Sequence, residues 1–528
     1  MDKDKPGEKS KDIRAVVEER VRLEKATLDA EKKKGAVGGA RRDEKITSNF
    51  IQACSGAHEY GMGVLFAKIF KGNFICVLPA IRWLQWAGHS WTDDVLCSVK
   101  GSVESVVEVL LAEAEKISGQ IREAHEIGNT EAAKNLQKTQ HLLYRNIHLL
   151  HSKNGRNNIL EFAHTNPVNG MGKLEEDFNK NPYDFGCKNG VIDLRTASLR
   201  AGRPDDFINQ ASRVEWTGIN TPAPNWQRAL NEIFEERRSL IDFIQRLFGY
   251  SLAGLTVEAV LPVLYGQGRN GKSTITETIS HVMDKMAIPI RAELLLDQGL
   301  KSSAAASPDI MALKGVRLCI AQETDQGHRF STSKIQWLTG SDTMTGRYLY
   351  DKCDVEFTPT HTLFLSTNHK PAVNDNDFAF WERVCLIPFP LSFVTRKPDA
   401  DNERPADKNL REKLISEESG ILAWLVRGFM QWQDRGLDPP PEVIDATKEY
   451  RKDEDLLGHF IAECCYEDPH AETSARDLFD DFKIWWAENV SRRPLSQKKF
   501  GSMMAKKYKR SKSGTVRYIG VGIEHVFE

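Results

Sequence analysis

The chain has 528 residues, with 72 lysines and arginines against 74 aspartates and glutamates and a formal net charge of −2 at pH 7. That balance excludes a globally basic nucleic-acid coat, so any basic patch must be local, and the length predicts three or four folded units. Nine cysteines stand without a C-x-x-C pair, and the charged start MDKDKPGEKSKDIR has no apolar core for a signal peptide. Free thiols, no zinc finger, no membrane span and a cytoplasmic protein are therefore expected.

Residues 1–48 are dense in both signs of charge and break at GAVGGARR, the signature of a flexible arm. ICVLPAIRWLQWAGHSW reads as short strands with a turn at Gly88, because β-formers alternate and small polar residues punctuate them. Helical spacing predicts helices from about Val103 to Ile117 and Thr130 to Leu150. FGCKNGVIDLRTASLR reads as a hairpin-like β element turning at Lys188-Asn189-Gly190. Ser239 is the expected N-cap of LIDFIQRLFGY, whose Leu240, Ile244, Leu247 and Phe248 share a face. Strand signals then recur at 260–265, 316–321, 362–366 and 384–389, and their alternation with helical segments predicts an α/β unit with a largely parallel sheet. A helical stretch from about Lys408 to Arg435 stops at GLDPPPEV, which reads as a linker.

The strand signal LPVLY leads into Gly266-Gln-Gly268-Arg269-Asn270-Gly271-Lys272-Ser273-Thr274, which satisfies G-x-x-x-x-G-K-[ST]. ITETISHVM follows with Ile275, Ile279, Val282 and Met283 on one helical face, as a strand, loop and helix require. Glycines let the backbone curl so that its N–H groups face phosphates; Lys272 would reach the β and γ phosphates, and Ser273 would ligate Mg²⁺. A nucleotide hydrolase also needs a carboxylate at the end of a neighbouring strand, and GVRLCIAQETD supplies Glu323, with Asp325 two residues on. HTLFLST ends in Asn368, which either orients the attacking water and γ-phosphate or caps a turn. Arg383, before CLIPF, is either an arginine finger supplied to a neighbouring subunit or a surface ion-pair residue.

This ordered set resembles a superfamily 3 helicase, and more narrowly the C-terminal helicase part of phage and plasmid primases, a group that includes the poxvirus helicase-primase. FGCKNGVIDLRTASLRAGRPDDF resembles the accessory domain of that family, and FIQRLFGYSLAG its helical approach to the ATPase. The resemblance implies a multidomain α/β fold with a P-loop AAA+ ATPase core, a mixed α+β accessory domain and a C-terminal winged helix. It implies the divisions 1–48 (arm), 49–205 (accessory domain), 206–250 (helical collar), 251–395 (ATPase), 396–450 (helical connection) and 451–528 (winged helix). It further implies ATP and Mg²⁺ as cofactors and a homo-oligomeric ring, expected to be a hexamer, around single-stranded DNA, acting on forked DNA in phage or mobile-element replication. In this family a β-hairpin between the acidic and sensor strands enters the channel. The matching stretch is TGRYLYDKCDVEFTP, in which Lys352 would touch a backbone phosphate and Arg347 a phosphate or the nucleotide interface.

Only about sixty residues precede the resemblance, too few for a polymerase fold, and Asp93-Asp94 and Asp205-Asp206 are adjacent, so each pair would point to opposite strand faces. Primase activity is expected from a separate protein. At the other end, SARDLFDDFKIWWAENV reads as an amphipathic helix and a second begins near Ser496. Lys498, Lys499, Lys506, Lys507, Lys509, Arg510, Lys512 and Arg517 then form the densest basic patch of the folded chain. Such a module contacts a DNA duplex or docks a protein. The leading expectation is an ATP-dependent DNA helicase; the alternatives are a ring ATPase that holds DNA without unwinding it, for origin binding or defence, and an ATP-switched assembly protein.

Overall fold

The computed structural model describes residues 46–168, 170–297, 307–322, 329–349, 353–373, 378–490, 495–511 and 515–524. The charged arm, apart from its last residues, lies outside them. The chain forms two units, 1–218 and 219–528, of mixed α/β character.

In the first unit Thr47 Oγ1 accepts the Phe50 N–H and starts α1 (Ser48–Gly56), which is followed by α2 (His58–Ile69). Strands β1 (Phe74–Leu78), β2 (Arg82–Trp86) and β3 (Trp91–Asp93) run antiparallel, with Gly88 at φ +92° in the turn. Gly88 turns the chain where the sequence predicts. Helices α3 (Val103–Glu126), α4 (Thr130–Leu150) and α5 (Lys153–Thr165) bury one apolar face each against a common core containing Leu65, Leu110 and Leu143. α3 runs past Ile117 because its apolar face continues through Ile121 and Ala124, while Ser118 Oγ donates back to Ala114 O at 3.0 Å instead of ending the helix. A short strand, β4 (Gly172–Leu174), pairs in parallel with β1. The stretch after it gains a third strand beyond the expected hairpin: β5 (Asp184–Cys187), β6 (Gly190–Asp193) and β7 (Ser198–Arg200).

The second unit opens with α6 (Pro224–Ile233) and α7 (Arg238–Tyr250). Ser239 is not the N-cap expected from sequence: the helix already starts at Arg238, and Ser239 Oγ donates to Glu442 Oε1 at 2.9 Å. A carboxylate distant in sequence has displaced the local capping bond.

Five strands follow, β8 (Leu261–Tyr265), β9 (Ala287–Arg291), β10 (Leu318–Gln322), then, beyond the short antiparallel pair β11 (Met344–Gly346) and β12 (Val355–Phe357), β13 (Thr362–Thr367) and β14 (Val384–Pro388). They form one parallel sheet in the order β14-β8-β13-β10-β9. Their near-continuous apolar sequences suit a sheet covered on both faces, and Leu261, Val263, Leu363 and Leu365 are buried. Because every strand points the same way, all their C-terminal ends share one edge. The loop after Tyr265 and the residue after Thr367 therefore emerge side by side.

Helix α8 (Lys272–Met283) crosses from β8 to β9. α9 (Glu418–Arg435) lies so close to α7 that a Cβ on Gly428 would come within 2.0 Å of Gln245 O. Phe248 on α7 stacks on Phe364 of β13 at 4.5 Å, fixing this helix layer to the sheet. The proline-rich stop ends α9, but Pro441 then opens α10 (Pro441–Asp453), which packs on β14: Thr447 Oγ1 accepts the Leu386 N–H at 2.9 Å, and Tyr450 is fully buried.

The chain closes with α11 (Leu456–Cys464), β15 (Cys465–Ser474), α12 (Ala475–Asn489), α13 (Gln497–Lys507), β16 (Lys509–Ser511) and β17 (Arg517–Ile523). Its antiparallel sheet has the order β15-β17-β16. Phe460, Phe482, Trp485, Trp486 and Phe500 fill the core between helices and sheet. Ser474 and Ser496 cap α12 and α13 by accepting the Asp477 and Lys499 N–H groups.

Candidate active site at the sheet edge

The turn between β8 and α8 adopts backbone that its glycines make accessible. Gly271 sits at φ +91°, and a Cβ there would come within 2.6 Å of the Ile233 side chain. Gly268 faces open space. Helix α8 begins directly after, at Lys272, so its uncompensated N–H groups and dipole point into the turn.

Lys272 is 5% exposed, and its Nζ donates to Gly266 O and to Asn368 Oδ1, the latter at 2.9 Å. Asn368 follows the last residue of β13, the immediate neighbour of β8. Sheet order thus brings these two residues together. Asn270 is 3% exposed; its Oδ1 faces the Lys272 N–H at 3.4 Å, while its Nδ2 has no hydrogen-bond partner. A buried donor without an acceptor is costly. Together with the Lys272 ammonium and the helix N-terminus, it makes a setting complementary to an oxyanion. Ser273 is exposed at the start of α8 and Thr274 half-buried beside it.

The remaining predicted residues are distributed differently. β10 ends at Gln322, and Glu323 and Asp325 lie outside the described residues. Arg383 precedes β14 at the opposite edge of the sheet, where its carbonyl accepts the Leu261 N–H at 2.6 Å and its Nη1 donates to Ala379 O at 2.6 Å. It is therefore not part of the Lys272 cluster in its own chain. Arg347 follows β11, and its Nε lies 3.7 Å from Asp354 Oδ1. The β11–β12 stem is shorter than the two strands expected, and Lys352 lies outside the described residues.

In the C-terminal module Lys498, Lys506, Lys507 and Lys509 are exposed and Lys499 is half-buried. Arg510 is engaged with its own fold, over the Tyr518 ring and bonded to Gly501 O. Arg517 stands 3.9 Å from Glu472, and Lys512 lies outside the described residues.

Among the described residues no group of three His, Cys, Asp or Glu side chains could hold a metal, and no helix is long and apolar enough to cross a membrane. Segments that sequence reasoning did not assign to this site also border it. Phe393 N donates to Arg269 O at 2.7 Å, pinning the turn to the strand after β14. Beyond Asn368, Lys370 Nζ reaches Asp453 at 3.0 Å, Tyr450 donates to Pro371 O and Glu454 Oε2 accepts the Val373 N–H at 2.8 Å. No local motif signals these contacts, which join residues about 80 positions apart.

Residues 63–235 match the family model described as D5 N terminal like. The chain is 30% identical over 329 residues to "Putative helicase L207/L206" of Acanthamoeba polyphaga mimivirus, covering 60% of this chain and 34% of that protein. It is 26% identical over 396 residues to "Putative helicase 022R" of Frog virus 3, covering 60% and 40%. The chain thus spans well under half the length of these relatives. The A form apo structure of the NrS-1 C-terminal region aligns with a TM-score of 0.37 at 11% identity, over 69% of this chain and 89% of that one, a score too low to bear on fold or function. Through residues 63–235 and its viral relatives, the chain is similar to the D5-like helicases.

Proposed function

We propose that the chain is an ATP-dependent DNA helicase of viral or mobile-element replication, built on a P-loop AAA+ core of the superfamily 3 type. The observation that carries this reading is the buried Lys272 ammonium bonded to Asn368 at the shared edge of the parallel sheet. In the nucleotide-bound protein Lys272 exchanges its carbonyl and amide acceptors for β- and γ-phosphate oxygens, and the N–H groups of the 266–271 turn surround the same phosphates. Asn368, released from Lys272, orients the attacking water. The Ser273 hydroxyl and the Glu323 carboxylate hold Mg²⁺, which supplies charge neutralisation at the transferring phosphoryl group. The viral relatives named as helicases support the coupling of this chemistry to nucleic acid.

In this reading Arg383, remote from its own Lys272, serves the site of the next subunit in a hexameric ring. The β11–β12 hairpin carries Lys352 and Arg347 toward single-stranded DNA. The C-terminal module is a winged helix whose exposed Lys498, Lys506 and Lys507 face duplex DNA, with Lys499 and Arg517 at its margin. Primase activity comes from another protein.

Hydrolysis assays with and without single-stranded DNA test the assignment. Lys272→Ala removes all hydrolysis, whereas Lys352→Ala leaves basal hydrolysis and loses the DNA stimulation. Equal stimulation of Lys352→Ala and wild type would contradict the hairpin assignment. Arg383→Ala subunits mixed with wild type poison neighbouring sites; a loss merely proportional to their fraction would contradict a finger acting between subunits.

A further inference from the structure

A cleft of about 390 Å³ adjoins the 266–271 turn and includes Arg269, Asn270, Gly271 and Ser273 at one end. Its volume falls in the range of small-molecule sites, about 300–1,000 Å³. Its floor is the face of α8 that carries Thr274, Glu277, Thr278 and His281, which recur at helical spacing. One wall is Ala229 and Ile233 of α6; the other is Phe393, Ala406 and Leu410.

Both walls are fixed to the turn. Ile233 fills the space that a Cβ on Gly271 would need, and Phe393 N holds Arg269 O at 2.7 Å. The second wall is tied within itself, since Ser392–Val394 pairs in parallel with Glu403–Pro405 and Ala406 N donates to Val394 O at 2.9 Å. At the far end His281 Nε2 meets Glu418 Oε2 at 2.9 Å. A ligand whose phosphates lie in the turn therefore extends its remaining part between fixed apolar surfaces. Asp407 is occupied by Lys413 at 2.6 Å. Glu277, exposed one turn beyond Ser273, offers hydrogen-bond acceptors to a hydroxylated group between the phosphates and the apolar end.

We infer that this cleft binds the nucleoside half of a ribonucleoside 5′-triphosphate, the base between Ile233 and Phe393 and the ribose hydroxyls on Glu277. The inference rests on the phosphate-loop reading above, yet the two separate experimentally. The probes are ATP and inorganic tripolyphosphate, titrated calorimetrically into the full chain with Mg²⁺, using wild type, Lys272→Ala, Ala406→Trp and Phe393→Ala.

Filling the cleft in Ala406→Trp, or removing one wall in Phe393→Ala, raises the Kd for ATP about tenfold or more and leaves that for tripolyphosphate within about twofold. Lys272→Ala weakens both ligands. The unchanged tripolyphosphate affinity also shows that the cleft variants are folded. If ATP and tripolyphosphate bind wild type and both cleft variants alike, the nucleoside assignment is overturned and the phosphate loop stands. If neither ligand binds wild type, or if Lys272→Ala binds both normally, the phosphate-loop reading fails and takes the inference with it.

Discussion

Lys272 Nζ and Asn368 Oδ1 meet at 2.9 Å across 96 residues of sequence, each at the C-terminal end of one of two neighbouring parallel strands. With Lys272 only 5% exposed, Asn368 is part of what keeps a buried ammonium solvated by protein dipoles. In the proposed cycle this bond alternates with contacts to the γ-phosphate. Asn368→Ala is expected to lower kcat for ATP hydrolysis by about 10²-fold, as loss of a positioned polar group does, while the Kd for ATP changes little. Normal kcat would remove Asn368 from the hydrolytic step.

Gly271→Ala places a side chain at φ +91° against Ile233. Strain of this kind costs about 1–3 kcal/mol, visible as a lower denaturation midpoint and weaker ATP binding. Gly268→Ala, with nothing within 4 Å of the added Cβ, leaves stability nearly unchanged. The two alanines together separate backbone strain from a general requirement for glycine.

His361 is a buried group with a pH signature. Its Nε2–H donates to Leu338 O at 3.0 Å, its Nδ1 has no partner, and burial pushes its pKa from 6.5 down to about 4. The folded protein thus refuses a proton that the unfolded chain accepts. Stability is complete above about pH 6.5 and falls as the pH is lowered toward 4, by about 1.4 kcal/mol per unit and about 3 kcal/mol in all. Urea unfolding of wild type and His361→Gln at matched pH values should show that excess slope in the wild type only.

The lysines of α13 should contribute charge rather than sequence reading. Lys506→Ala with Lys507→Ala is expected to make duplex binding less sensitive to salt, flattening the slope of log K against log salt by roughly 0.9 for each phosphate these lysines neutralise. Lys483→Ala, whose ammonium is held by Asp480 at 2.6 Å, should leave the slope unchanged. An unaltered slope in the double variant would assign α13 to protein docking.

The parts of the molecule legible in the sequence are those with local signals. Strand, glycine turn and helix are contiguous around Lys272, and the four strand signals at 260–265, 316–321, 362–366 and 384–389 fall on β8, β10, β13 and β14. Asn368 could be found because it directly follows a buried apolar run. Ser239 misled because local capping preference cannot foresee Glu442. The proline-rich segment before α10 suggested a linker, since no periodicity reveals that Thr447 and Tyr450 return to the sheet and to the Pro371 carbonyl. Phe393, likewise, touches the turn only through folding of the chain beyond β14.

Strand displacement on a forked DNA duplex, with ATP and Mg²⁺, measures the central claim most directly. Wild-type protein should separate the strands only when ATP is hydrolysed, and Lys272→Ala should separate none. ATP hydrolysis that rises with single-stranded DNA while the fork stays paired would contradict the helicase account and leave an ATPase that grips DNA without opening it.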